Sequence, residues 1–140
     1  MAPDFAMVDA AGNTVTLHSL LAGGKPAVLN FWASWCPPCR SEMPEFEKVF
    51  KELGDEVRFV MVDLVDGGRE TIETGAKYIE AEGYTFPVYF DAEQEGAYAY
   101  GIHSIPTTIF IDRNGGIVTS AQGMLDESTL RKGVDLILNT

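Results

Sequence analysis

The sequence predicts an α/β sandwich, in which helices cover both faces of a mixed central sheet. Three observations lead to this expectation. Apolar runs alternate with segments of helical period in the middle of the chain, a hairpin opens it, and a second hairpin with a final amphipathic helix closes it. Strands separated by helices pair in parallel, whereas hairpins add antiparallel strands. With 140 residues, 46% of them hydrophobic, the chain fits one domain over 1–140.

The first half predicts a hairpin, a buried strand and a helix. In residues 6–20, Ala11-Gly12-Asn13 turns between two strand-like pieces. The run AVLNFW, residues 27–32, is apolar and aromatic throughout, as in a central strand buried on both faces. After the CPPC motif, apolar residues recur at spacings of three, four and three, which predicts a helix ending near Gly54. These residues are Met43, Phe46, Phe50 and Leu53.

The second half continues the alternation and then adds antiparallel strands. Pro87 confines its strand to an edge or an end of the sheet, because proline donates no ladder hydrogen bond. Arg113-Asn114-Gly115-Gly116 is a strong turn signal between two strand-like runs. The predicted elements are a buried strand over 57–64, a helix over 69–83, a strand over 85–91, a short helix over 95–102, a hairpin over 107–121 and a helix after Asp126.

Composition excludes several classes of function. The formal net charge is −11, from 21 acidic and 10 basic residues, so we expect no binding to nucleic acid or to anionic membranes. No apolar run is long enough to span a membrane. Two cysteines are also too few for a disulfide-rich framework, and a bridge across two residues closes too small a loop to stabilise a fold.

Both cysteines lie in the motif CPPC, which suits a redox centre or half of a metal site. Residues three apart at the start of a helix have Cα atoms about 5–6 Å apart, within reach of a disulfide. If Cys36 caps the helix, Pro37 and Pro38 occupy positions where a missing N–H costs least. The helix dipole then favours the Cys36 thiolate, and the Cys39 N–H is the first donor left for it.

The stretch FWASWCPPC resembles the active site of the thioredoxin superfamily, and a second motif supports the resemblance. SIPTTIFID, residues 104–112, is similar to the cis-proline loop of that superfamily. The resemblance implies a cis peptide bond before Pro106 and a loop that lies against the disulfide. It also implies that the backbone at Ile105 and Pro106 pairs with an extended substrate segment.

Within the superfamily, the chain resembles the extracytoplasmic TlpA/ResA-like branch. The matching features are the opening APDF, the block that surrounds CPPC, the segment inserted between strands 57–64 and 85–91, and GIHSIPTTIFIDRNGGIV followed by Gly123. The resemblance implies a thioredoxin-like sandwich with an N-terminal β-hairpin and a central α/β insertion. It implies a thiol–disulfide oxidoreductase that reduces protein disulfides through Cys36 and Cys39, without a bound cofactor.

The same resemblance assigns roles to further residues. Asn30 stands where cytosolic thioredoxins carry a buried aspartate, and Glu42 matches the functional glutamate of the TlpA/ResA-like branch. A raised pKa would let Glu42 act as the base for the Cys39 thiol. The expected substrate-binding surface consists of Trp35, Pro37, Ile105, Pro106 and Gly123.

The resemblance also implies partners and a location. The partners are thiol proteins such as apocytochrome c, with a membrane thiol reductant as electron donor, and we expect the protein to be a monomer. An extracytoplasmic location is expected, with a targeting or anchor segment missing from this chain, since no signal peptide is visible. A cytoplasmic protein would open in the same way, so that alternative stays open.

Two other functions remain open at this stage. The opening APDF and the following block also resemble peroxiredoxins, but those enzymes use threonine where this chain has Ala33. A copper or zinc chaperone would use Cys36, Cys39 and His103, although related metal sites usually have three residues between their cysteines.

Overall fold

The computed structural model describes residues 1–140 and shows the α/β sandwich expected from the sequence. Its central sheet has seven strands in the order β2-β1-β5-β4-β3-β6-β7. The strands β3, β4 and β5 are parallel, and the remaining pairs are antiparallel. The strands are β1 (Ala6–Asp9), β2 (Thr14–Thr16), β3 (Ala27–Trp32), β4 (Arg58–Asp63), β5 (Val88–Phe90), β6 (Thr107–Ile111) and β7 (Ile117–Gln122).

Five helices connect the strands and cover the sheet. They are α1 (Leu17–Leu21), α2 (Pro37–Leu53), α3 (Ile72–Glu82), α4 (Glu95–Ala99) and α5 (Glu127–Leu138). The amphipathic helices α2 and α5 bury their apolar stripes against one face of the sheet, together with Phe59 and Phe110. A second core on the opposite face includes Phe5, Leu17 and Phe31. None of the helices is both long and apolar enough to cross a membrane.

The central strand β3 determines where the CPPC motif lies. All six of its residues are buried, because β4 and β6 pair with its two edges and a core covers each face. The chain leaves β3 at Trp32 and enters α2 at Pro37, so the motif stands at the carboxyl end of the strand. Ligand and reaction sites of open α/β sheets are commonly found at this edge.

The structure differs from the prediction at three elements. The short helix α1 was not predicted, since five residues are too few to show a helical period. Helix α3 begins at Ile72 rather than at Arg69, because Thr71 caps it in a reciprocal capping box with Thr74. The prediction that Pro87 confines its strand to an edge or an end of the sheet is wrong, since β5 is an interior strand that pairs with both β1 and β4. Pro87 lies just before β5, where its missing N–H interrupts no ladder hydrogen bond.

Candidate active site

The CPPC motif forms a disulfide between Cys36 and Cys39 at the start of α2. Their Cα atoms are 5.2 Å apart, within the range predicted from the spacing. Cys36 is the N-cap of the helix, and Pro37 follows as its first residue. The Cys39 N–H donates a hydrogen bond of 3.3 Å to Cys36 Sγ, as the sequence predicts. A sulfur in this position, at the positive end of the helix dipole, is stabilised when it carries negative charge.

The loop before β6 lies directly against the disulfide. The peptide bond between Ile105 and Pro106 is cis, as the resemblance implied. Cys36 Sγ lies 3.7 Å from the backbone carbonyl oxygen of Ile105. The structure therefore brings together four of the predicted site residues, two from each side of the cleft between α2 and β6.

Cys36 is less accessible than its place at a helix end suggests. Only 2% of the residue is exposed in this oxidised state, and Cys39 is fully buried. The Ile105 carbonyl covers part of the sulfur, and the rest packs in the core that includes Ala33 and Met43. Cys36 is nevertheless the more exposed of the two cysteines and the one beside the cis-proline loop.

Gly123 also belongs to this region. It lies just after β7, and its N–H donates a 2.8 Å hydrogen bond to the Pro106 carbonyl. Its φ of +95° is in the left-handed region that favours glycine. No atom lies within 4 Å of the place where a side chain would begin, so the backbone is open on this side.

Glu42 lies one helical turn after Cys39, and both side chains are completely buried. Its Oε2 accepts a 2.8 Å hydrogen bond from Asn30 Nδ2, and its Oε1 accepts one of 3.1 Å from the Leu125 N–H. Asn30 in turn donates to Thr108 Oγ1 at 3.1 Å. The carboxyl group thus joins α2 to β3 and to the loop before α5.

Burial is the dominant influence on the Glu42 carboxyl group. Desolvation raises the pKa of Glu42 from 4.5 to about 7, against the opposing effect of its hydrogen bonds from Asn30 and Leu125. A group with this pKa exchanges a proton readily at neutral pH, which is the property required of a general base.

A cleft of about 260 Å³ opens beside the disulfide and is lined mainly by apolar side chains. Trp35 and Ile105 form the wall nearest to the cysteines, and Leu64 and His103 lie further along it. Trp35 is 38% exposed, and the Arg69 guanidinium lies 3.7 Å above the centre of its ring. This stacking restrains the indole at the mouth of the cleft.

Two acidic residues near the motif were not predicted. Asp63, at the end of β4, and Glu70, just before α3, are both completely buried. Glu70 accepts hydrogen bonds from the backbone N–H and from the hydroxyl of Ser34, in the loop that leads to Cys36. The sequence gives only a weak signal for them: Asp63 closes an apolar run. Polar residues are common at the ends of strands, so this position alone does not indicate a functional site.

The geometry offers little support for a metal chaperone or a peroxidase. No group of three or more His, Cys, Asp or Glu side chains is arranged to hold a metal ion. His103 is exposed and lines the cleft, while both cysteines are paired with each other. Ala33, three residues before Cys36, is buried and has no hydroxyl group to orient a peroxide.

The sequence is similar to those of known proteins. A profile of the AhpC/TSA family matches residues 1–120. The chain is 34% identical over 135 residues to the thioredoxin-like protein YneN of Bacillus subtilis, covering 96% of this chain and 77% of the relative. It is 34% identical over 137 residues to the thiol-disulfide oxidoreductase ResA of Halalkalibacterium halodurans, covering 97% and 74%.

The fold is also similar to that of a solved structure. A crystal structure described as a putative thiol:disulfide interchange protein DsbE from Chlorobium tepidum superposes with a TM-score of 0.85. The two sequences are 29% identical, and the match covers 98% of this chain and 94% of the other. The likeness thus extends over the sheet, the helices and the CPPC region together.

We predict that Glu42→Gln changes the pH dependence of stability. Between the ordinary pKa of 4.5 and the raised value of about 7, folded Glu42 keeps a proton that the unfolded chain has lost. Rising pH through this window therefore destabilises the wild type relative to the variant, by about 3 kcal/mol in total. Urea unfolding of the oxidised protein from pH 4 to 8 measures the difference.

The control for this measurement is Glu45→Gln, which changes a partly exposed carboxyl on the same helix. Its free energy of unfolding should follow that of the wild type across the pH range. A constant difference between wild type and Glu42→Gln would show that Glu42 has no raised pKa.

Proposed function

This chain belongs to the AhpC/TSA family, and from that premise we propose that it is a thiol–disulfide oxidoreductase acting through Cys36 and Cys39. The observation that carries the proposal is the Cys36–Cys39 disulfide at the start of α2, packed against the cis Ile105–Pro106 loop. The reaction requires no bound cofactor, because the two sulfurs themselves carry the electrons.

In the reducing direction, the cycle begins with the dithiol form. The Cys36 thiolate attacks one sulfur of a partner disulfide, so that a mixed disulfide forms and the other partner sulfur leaves as a thiolate. Cys39, after losing its proton, attacks the Cys36 sulfur and expels the second partner thiolate. Two electrons have then passed to the partner, and the Cys36–Cys39 disulfide has re-formed.

Each cysteine has the position that its step requires. The helix N-terminus and the Cys39 N–H stabilise negative charge on Cys36, whose sulfur lies against the Ile105 carbonyl beside the cleft. Cys39 is buried behind it, where only an intramolecular reaction can reach its sulfur. Because so little of Cys36 is exposed, we expect the partner to displace the Ile105 loop as it docks.

Glu42 is the proposed acceptor of the Cys39 proton. It is the buried carboxyl one turn along α2, and desolvation raises its pKa to about 7. Asn30 cannot take this role, since its amide is not a base. Its hydrogen bond to Glu42 Oε2 instead holds the carboxyl group in place.

The proposed docking surface surrounds Cys36. The backbone of Ile105 and Pro106 would pair with an extended segment of the partner. Gly123, which has no side chain, leaves room for the partner's backbone to approach. Trp35 lines the cleft beside this surface, and the exposed Pro37 follows Cys36 directly in the chain.

We further propose that the protein acts as a reductant outside the cytoplasm. Support comes from its resemblance to the TlpA/ResA-like branch and from its 34% sequence identity to the thiol-disulfide oxidoreductase ResA of Halalkalibacterium halodurans. Its partners would be disulfide-containing proteins such as apocytochrome c, and a membrane thiol reductant would regenerate the dithiol. The strongly negative net charge favours partners with cationic surfaces.

Replacing the resolving cysteine should trap the partner. In Cys39→Ser, Cys36 can still form the mixed disulfide, but no second thiol is present to release it. We expect covalent complexes that dithiothreitol dissolves, seen by non-reducing electrophoresis and identified by mass spectrometry. The matched Cys36→Ser variant should trap nothing, and equal trapping by both variants would contradict the assigned order of attack.

Loss of the proposed base should slow the resolving step. We expect Glu42→Gln to reduce the rate at which Cys39 releases a preformed mixed disulfide by roughly 10²-fold at pH 7. The wild-type rate should rise as Glu42 ionises near pH 7, whereas the variant should lack this rise. Stopped-flow tryptophan fluorescence follows the step, with Glu45→Gln as control, and identical pH profiles would exclude the role.

The direction of electron flow can be read in the cell of origin. A reductant is kept as the dithiol, so most of the protein should carry two alkylated cysteines after acid quenching and maleimide treatment. Electrophoresis then separates the dithiol from the disulfide form. A predominantly oxidised pool would indicate that the protein oxidises its partners.

A further inference from the structure

The two buried acids that the sequence did not predict lie next to each other. Neither Asp63 nor Glu70 is exposed to solvent. A Cβ atom added at Gly75 of α3 would collide with Asp63 Oδ2 and lie 3.2 Å from Glu70 Oε2, so the two carboxyl groups converge on one place. No N–H or O–H group of the surrounding residues donates a hydrogen bond to either oxygen of Asp63.

Two carboxylates cannot both be ionised in such a place. Burial, followed by the hydrogen bond and the charge of Glu70 and the charge of Asp66, raises the pKa of Asp63 to about 10. Asp63 therefore keeps its proton at neutral pH, and Glu70 is the neighbouring group that can accept it in a hydrogen bond. The cation on this segment, Arg69, is engaged with Trp35 rather than with the pair.

The other elements around Asp63 bring one further acid, Asp91, which follows β5 and whose N–H donates to the Asp63 carbonyl. Burial raises the pKa of Asp91, and its carboxyl oxygens accept hydrogen bonds from N–H groups of α4. Strand β3 contributes Trp32, the parallel neighbour of Asp63, and α3 contributes Gly75 and the uncharged Tyr78, which packs on Trp32. Burial raises the pKa of the Tyr78 hydroxyl, so it stays neutral across the range in which Asp63 titrates.

The other member of the pair, Glu70, holds the loop that carries Cys36. Glu70 Oε2 accepts a 2.9 Å hydrogen bond from the Ser34 N–H, and Oε1 accepts one of 2.5 Å from the Ser34 hydroxyl. The preceding residue, Arg69, stacks on Trp35. Two consecutive residues of the β4–α3 loop thus fix the two residues directly before Cys36.

We propose that Asp63 and Glu70 share a single proton, and that the protonated pair positions the loop that presents Cys36 to its partner. The inference rests on the proposed exchange reaction. Asp63 and Glu70 are positioning residues, since they act through Ser34 and not on the sulfurs. When Asp63 also ionises, the two like charges repel each other and Glu70 loses its place against Ser34.

The shared proton is tested by Asp63→Asn, whose amide can donate to Glu70 but cannot titrate. Urea unfolding is measured on the oxidised protein, in which the cysteines do not titrate. From pH 5 to 9, Asp63 of the wild type carries a proton in the folded state but not in the unfolded state. The unfolding constant of the wild type should therefore rise about tenfold per pH unit relative to that of the variant. A ratio that does not change with pH would overturn the proposal.

The positioning role is tested by the rate at which the reduced protein reacts with oxidised glutathione at about pH 8 and about pH 10.5. The wild-type rate should fall by roughly tenfold at the higher pH, as Ser34 is released, while Asp63→Asn should show no fall. Circular dichroism at both pH values establishes that the fold persists. Equal pH profiles for the two proteins would contradict the positioning role.

Two further variants make the result independent of folding defects. Ser34→Ala removes one hydrogen bond to Glu70 and should slow exchange at pH 8, whereas Glu80→Gln, an exposed acid on α3, should not. If the wild type itself shows no exchange at any pH, the proposed function fails. If it exchanges normally and Ser34→Ala matches it, only the positioning role fails.

Discussion

The burial of β3 between two neighbouring strands is the constraint on which the site depends. Its ladders with β4 and β6 fix the directions in which three loops leave the same edge of the sheet. One loop carries Cys36, the loop after β4 carries Glu70, and the loop before β6 carries the cis Ile105–Pro106 bond. The order of the strands therefore brings residues that are far apart in sequence into contact. Pairing of β3 with β4 and β6 is enough to place the three loops side by side.

This arrangement concentrates acidic groups in a place where burial makes them costly. Glu42, Asp63 and Glu70 all lie in the interior, on or near the elements that frame the disulfide. A buried carboxyl group is tolerated when its hydrogen bonds are satisfied or when it keeps its proton. Glu42 is satisfied by Asn30 and Leu125, and Glu70 by Ser34, whereas Asp63 remains neutral. Clusters of ionisable groups with perturbed pKa values are typical of functional sites.

The sequence predicted the elements that have strong local signals. The apolar run of β3, the cap at Cys36 and the turn at Gly115 each depend on a few neighbouring residues, and each prediction is confirmed. The family resemblance supplied the cis bond before Pro106, which no local pattern reveals. Glu70 was missed because an acid in a polar segment gives the same sequence pattern whether it faces solvent or is buried. Its burial against Ser34 depends on contacts that form only when the sheet assembles.

The stacking of Arg69 on Trp35 has a consequence for recognition. An exposed indole that rotates freely must lose rotamer entropy when another molecule packs on it, and this loss weakens association. Here a cation from a different loop already restrains the ring, and the ring stays more than a third exposed. The surface is preorganised, so shape discrimination between candidate polypeptides can occur at the first encounter.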